Sequence, residues 1–299
     1  MSDTVRIETA DASAFAEFGL VGGGIRQYRC CDRDIVPLDT ETARRAWFSG
    51  TTLAPWPNRL ADGTWTADGV QYEGECNDSR GNALHGLVYN VAFRTVQQDR
   101  SSVTLSYDLG DDAIYPFAVR IDVEYRIDNC RLTSTLRATN LSDVRAPIAL
   151  GVHPYFPYTD DTSIVLNATV YNENSERLIP TGALRPISEL GLAVAAENRL
   201  GDLSLDHCFS NSSRDGTGRA VTELRYPDGS SVGIWQDAQL EYTQIFTKRD
   251  FPWATGPSGA IGIEPQSAPA NALNSGVDLR WLEPGDSFAV QWGIEVATP

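Results

Sequence analysis

Phe117-Ala118-Val119-Arg120-Ile121-Asp122-Val123-Glu124-Tyr125-Arg126-Ile127 is the stretch that decides the fold. Its odd-numbered residues are apolar or aromatic, while all its even-numbered residues except Ala118 are charged. A period of two sends successive side chains to opposite faces of an extended chain, so one face is built for a core and the other for water. This is the pattern of a half-buried strand.

The same alternation recurs on both sides of this stretch. It appears at Val103, Leu105 and Tyr107, at Ile164, Leu166, Ala168 and Val170, and at Phe288, Val290, Trp292, Ile294 and Val296. Pro227-Asp228-Gly229-Ser230 stands between Leu224-Arg225-Tyr226 and Val232-Gly233-Ile234-Trp235, a turn flanked by strand residues, which predicts a hairpin. Gly22-Gly23-Gly24 predicts another turn, because it lacks the GxGxxG spacing and the following helix of a nucleotide site. The loops Asp62-Gly63, Asn77 to Asn82 and Ser210 to Gly218 are polar, as surface connections are. Helical periodicity is sparse. Many short strands without intervening helices predict an all-β fold, a large antiparallel β-sandwich in which each sheet buries its apolar face against the other. No repeat or compositional break divides the chain, so residues 1–299 are expected to form a single domain.

Composition narrows the classes of function. Forty acidic residues against 24 basic ones give a formal charge of -16, a field that repels nucleic-acid backbones and anionic membranes. No run approaches the ~20 apolar residues of a membrane span, and Met1 to Asp11 carries acids where a signal peptide has basic residues. The five cysteines, Cys30, Cys31, Cys76, Cys130 and Cys208, form neither a CxxC pair nor an even disulfide framework, which predicts a reducing compartment and a cytoplasmic protein. The expected partner is a small molecule, with no nucleic acid and no membrane, and the chain is expected to be a monomer or a homodimer.

Three histidines occur, and two sit in compact settings: Asn82-Ala83-Leu84-His85-Gly86 and Gly151-Val152-His153-Pro154-Tyr155-Phe156. A histidine taken singly is as often structural as catalytic. Here Gly86 would permit close approach by a ligand, while Pro154, Tyr155 and Phe156 offer a rigid turn and stacking walls. Glu264 follows the apolar run Gly259-Ala260-Ile261-Gly262-Ile263, and a carboxylate desolvated there holds its proton more tightly and is suited to general-base work. Its structural alternative is a salt bridge at a strand end. Arg59 and Asp206 supply polar groups of the kind that orient sugar hydroxyls, with a bridge to an acidic neighbour and the start of a turn as their structural alternatives. His85, His153, His207 and Glu264 are all possible metal ligands, but without HxH, HExxH or paired-cysteine spacing no metal site is predicted. Lys248 is the only lysine and therefore the only candidate for Schiff-base chemistry, and no serine stands in GxSxG.

Taken together, five motifs resemble the aldose 1-epimerase, or galactose mutarotase, family. They are Pro55-Trp56-Pro57-Asn58-Arg59 with Ala61-Asp62-Gly63, Asn82 to Gly86, His153 to Phe156, Leu205-Asp206-His207, and Glu264-Pro265-Gln266 through Pro269 and Asn274. They follow the family's order and span nearly the whole chain. The resemblance implies interconversion of the α and β anomers of a free hexose without a cofactor. It implies Glu264 as the general base at the anomeric hydroxyl, His153 as the general acid at the ring oxygen with His85 assisting, and Asn58, Arg59 and Asp206 as binding residues. Ala270 stands where many relatives have aspartate. Two alternatives stay open on the same fold: a mutarotase for a sugar with an anionic C6 group, such as sulfoquinovose or a hexose 6-phosphate, with Arg26, Arg80 and Arg249 as candidate partners, and a non-catalytic carbohydrate-binding protein. A glycosidase using Glu264 and Asp206 as its two carboxylates is a further reading, set back by the two histidines.

Overall fold

Alternation becomes burial along Val119–Asp128, where Val119, Ile121, Val123, Tyr125 and Ile127 are all buried. A computed structural model of the protein describes residues 3–110 and 112–299, so Met1 and Ser2 of the amino-terminal segment read above lie outside it. Val119–Asp128 pairs on one side with Ser102–Leu109 and on the other with Arg131–Asn140. These strands belong to a nine-stranded antiparallel sheet, which continues through Ser287–Ala297, Ser231–Gln236 and Ala220–Arg225 to Ser163–Val165 and Glu197–Arg199. The hairpin expected at Pro227 to Ser230 joins Ala220–Arg225 to Ser231–Gln236.

A second antiparallel sheet of eight strands runs through Pro180–Pro186, Ala168–Asn174, Asp206–Ser212, Tyr242–Lys248, Gly259–Gln266, Gly151–Val152 and Thr52–Leu53. Tyr155–Tyr158 also pairs with Gly259–Gln266. Phe209, Ile245, Ile261 and Ile263 of this sheet share one buried cluster with Val123, Leu136, Trp292 and Ile294 of the first. Burying an aliphatic or aromatic side chain of this size contributes roughly 1.5–3 kcal/mol, and this shared layer holds the sheets together. The described residues are 52% strand and 6% helix, the all-β class that the alternation predicts.

A four-stranded amino-terminal sheet, Thr4–Glu8, Ala14–Gly19, Ile25–Cys30 and Arg33–Val36, adds its own apolar residues to the core. Gly22-Gly23-Gly24 makes the turn between its second and third strands, and a side chain at Gly24 would collide with the Gly50 backbone.

Three expectations need correction. Ile164 to Val170 reads as one alternating strand, but the chain crosses between the two sheets there: Ser163–Val165 pairs with Ala220–Arg225, and Ala168–Asn174 pairs with Asp206–Ser212. Leu166 stays buried through the crossing, so the apolar period survives while the hydrogen-bond partner changes. The polar segment from Ser210 begins inside the strand Asp206–Ser212. Cys30 and Cys130 form a disulfide that ties the amino-terminal sheet to the turn after Val119–Asp128, with Cα atoms 5.7 Å apart across a separation of 100 residues. Such a pairing has no local spacing to betray it. Cys31, Cys76 and Cys208 are free.

No helix among the described residues is long and apolar enough to cross a membrane. The helix Glu41–Trp47 is too short to show a period; the Thr40 hydroxyl caps it by accepting from the Ala43 N–H, and Phe48 closes it in the left-handed conformation.

Candidate active site

Strand register assembles the floor of a cleft on the face of the eight-stranded sheet that is turned away from the core. In Gly259–Gln266 the odd residues Ile261 and Ile263 enter the core, so Gly262, Glu264 and Gln266 take the other face. Glu264 lies opposite Gln244, and Gln244 opposite Cys208. The next row runs from Asp206 through Phe246 and Gly262 to Tyr155. Gly262 leaves a gap in that row. A Cβ there would lie 3.3 Å from Glu264 Oε1, 3.4 Å from the Tyr155 ring and 3.6 Å from the His153 ring.

The rim comes from two motifs that a short ladder holds side by side. Arg59–Ala61 pairs with Asn82–Leu84, with Arg59 opposite Leu84. Just beyond it, the His85 N–H donates to the Asn58 carbonyl at 2.8 Å, and the Asn58 N–H donates to His85 Nδ1 at 3.3 Å. Since Nδ1 accepts, the neutral imidazole carries its proton on Nε2. The Asn58 side chain donates to Gln244 Oε1 at 3.2 Å, and Gln244 Nε2 donates to Asp206 Oδ1 at 2.7 Å. Asp78 holds the Arg59 guanidinium through Nε at 3.0 Å.

Gly86 does different work from that expected of it. Its φ is +71°, and a Cβ would strike the Ala54 carbonyl, so the close approach it permits is by the chain's own backbone rather than by a ligand. We expect Gly86→Ala to lower stability by about 2 kcal/mol or more through clash and left-handed strain together, and to disturb His85. Gly182→Ala has positive φ but open space around it, and should cost clearly less. Equal urea midpoints for the two variants would refute the steric account.

The walls are aromatic. The Phe48 ring lies 4.7 Å from that of His85, and Trp47 stacks on Phe246 at 5.8 Å, both delivered by the end of the short helix. Tyr155 stacks on His153 at 4.9 Å, whereas Phe156, expected as a second wall, points into the core. The cleft has a volume of about 460 Å³ and also takes in Arg80, Leu84 and Leu178. That is room for a monosaccharide.

At its floor His153 Nε2 stands 3.4 Å from Glu264 Oε1, with both side chains almost wholly buried. Burial, reinforced by the charge of Asp206, pushes the Glu264 carboxyl well above its usual range, against the opposing pull of the Gln266 amide and Arg59. Burial also takes His153 down to about 3. His85 is held well below the ordinary imidazole range, first by burial and then by the neighbouring His153 and Arg59 charges. Burial therefore biases both members of the His153 and Glu264 pair toward their uncharged forms, and a proton passed across the contact would convert carboxylic acid and imidazole into carboxylate and imidazolium without exchange with solvent.

Glu264, His153, His85, Arg59, Asp206 and Asn58 all line this one cleft. Gln244, Gln266, Gly262 and the aromatic pair Trp47 and Phe48 were not foreseen. Of the three arginines considered for an anionic group, Arg80 lies in the cleft, while Arg26 pairs with Asp39 and Arg249 with Asp160. His207 packs edge-on against Tyr171, and the Lys248 ammonium sits over the Trp47 ring, so neither joins the lining. Among the described residues, the metal-type side chains that converge are Cys30, Cys31 and Cys130, two of them joined in the disulfide, and not the histidines with Glu264.

A family model described as Aldose 1-epimerase matches residues 3–294. The chain is 29% identical over 251 residues to an uncharacterized Escherichia coli protein, YihR, covering 82% of this chain and 78% of that one. It is 29% identical over 150 residues to human galactose mutarotase, a match that covers 47% of this chain and 43% of the human protein. Among solved structures, a GalM/aldose epimerase homologue from C. elegans superposes with a TM-score of 0.86 at 20% identity over 99% of both chains. A putative aldose 1-epimerase from E. coli K12 gives 0.82 at 19% identity over 99% of this chain and 100% of that one.

Proposed function

Because the chain belongs to the aldose 1-epimerase family, we propose that it interconverts the α and β anomers of a free hexose by acid/base ring opening and reclosure. The observation that carries the proposal is the buried contact of 3.4 Å between His153 Nε2 and Glu264 Oε1 on the floor of a sugar-sized cleft. Opening a cyclic hemiacetal requires a proton to leave O1 and another to reach O5. Glu264, as carboxylate, takes the first, and His153, as imidazolium, gives the second. The free aldehyde turns about its C1–C2 bond and recloses with the proton roles reversed. His85, with Nε2–H directed by its Nδ1 contact to Asn58, donates to the ring oxygen as negative charge develops there. Arg59, Asp206 and Asn58 hold the ring hydroxyls.

A protein that only binds sugar gains nothing from burying a carboxyl beside an imidazole, an arrangement that costs stability. The deciding experiment is polarimetry on freshly dissolved α-glucose and α-galactose. Optical rotation is expected to relax with a rate proportional to protein concentration. Relaxation at the spontaneous rate, with sugar binding seen by NMR, would make the protein a binder.

The cleft also supports a second reading. Arg80 lines it and forms no ion pair among the described residues; its Nε donates to the Glu176 carbonyl at 3.2 Å. A cation so placed suits a sugar with an anionic group at C6. In a panel of pure anomers, higher kcat/KM on sulfonated or phosphorylated sugars that falls selectively in Arg80→Ala supports this reading, and equal loss on neutral sugars removes it.

A further inference from the structure

We propose that Gln266 is a positioning residue for the reaction: its amide clamps one oxygen of Glu264 so that the other is presented to His153 and to the anomeric hydroxyl. This rests on the acid/base reading of the same cleft and adds a residue to it.

The geometry is specific. Gln266 Nε2 donates to Glu264 Oε2 at 3.1 Å, and the opposite oxygen, Oε1, is the one that faces His153. Two residues on along one strand, Gln266 projects from the same face as Glu264, so the contact follows from the pleat. Its backbone pairs with Tyr242 on one side and Gly151 on the other, and its side chain is wholly buried. Gln266 Oε1 has no hydrogen-bond partner among the described residues. The amide thus turns its donor, and not its carbonyl, toward Glu264.

The donor biases the shared proton. A hydrogen bond given to a carboxylate favours the charged form, so Gln266 works against the burial that keeps the carboxyl protonated. The charged and titratable groups around Glu264 are His153, Tyr155, Asp206, Cys208 and Arg59, with His85 across the cleft. Of these, Asp206 opposes the carboxylate and Arg59 supports it; among the described residues, Gln266 alone gives Oε2 a hydrogen bond.

Gln266→Leu keeps the volume and removes the donor. The uncharged pair should then dominate, so kcat should fall by roughly 10- to 100-fold with KM changed less than threefold, the range expected for a hydrogen bond to a charged group. The same loss raises the proton affinity of Glu264. The pair then gives up its proton only at higher pH, so the alkaline limb of the kcat profile should move up by about one unit or more. Gln266→Met, longer and more flexible, guards against a folding failure of the leucine variant, and the circular dichroism of both is compared with the parent. A fall in kcat with the alkaline limb unmoved in both folded variants, or no fall at all, overturns the positioning role. A fully active Glu264→Gln protein would instead overturn the base assignment, so the two failures are distinguishable.

Discussion

Glu264→Gln is expected to lower kcat for mutarotation by about 10²- to 10⁴-fold while leaving the fold and sugar affinity near their parental values. The amide matches the carboxyl in shape and can still meet Gln266 and His153, but it cannot accept a proton from O1. Removing a buried ionisable group also relieves a burial penalty, so stability should hold or rise. The measurement is polarimetry or anomer-resolved NMR, with sugar binding followed separately by titration. Parental kcat in the variant would end the base assignment, and lost sugar binding would make Glu264 a binding group instead.

His153→Asn should be nearly as severe. Asparagine can donate a hydrogen bond but does not become a cationic acid near neutral pH, so the leaving ring oxygen would lose its proton source, with a loss of about 10²- to 10⁴-fold in kcat. The imidazole also stacks on Tyr155, and its removal should cost about 0.5–1.5 kcal/mol of stability. The double variant is the sharper test. If His153 and Glu264 share one proton and act as a unit, the double variant should be scarcely slower than either single one. Multiplicative losses would show two groups working independently.

Much of the fold was legible because a half-buried strand writes its environment into every second residue. Val119 to Ile127 and Phe288 to Val296 did so, and both are long strands of the nine-stranded sheet. The reading failed where burial and pairing separate. Leu166 is buried on both accounts, yet the strand ends beside it because its neighbours hydrogen-bond to different sheets. The Cys30 to Cys130 link is a property of the folded chain, set by where a strand end and a turn meet 100 residues apart.

The site shows the same division. His85, His153 and Glu264 stand in settings unusual enough to be noticed one at a time. Gln244 does not: it is an ordinary polar residue in a strand, and its importance comes from lying opposite Glu264 while reaching both Asn58 and Asp206. Gly262 was read as part of an apolar run, and only the row it shares with Phe246 and Tyr155 reveals that a missing side chain makes room beside the carboxyl. Gly86 was assigned to a ligand when its neighbour is Ala54, because a glycine reports that something comes close without reporting what.

Glu264 belongs to the interior of a ladder, hydrogen-bonded through its neighbours on both sides, rather than to a loop. Buried and held by the Gln266 amide, such a carboxylate has little room to follow its target. Yet the hydroxyl at C1 points one way before the ring opens and the other way after it shuts. On the proposed mechanism the freedom to invert is therefore left to the guest, and a bare position 262 spares the carboxyl oxygen nearest His153 from being crowded by a neighbouring side chain.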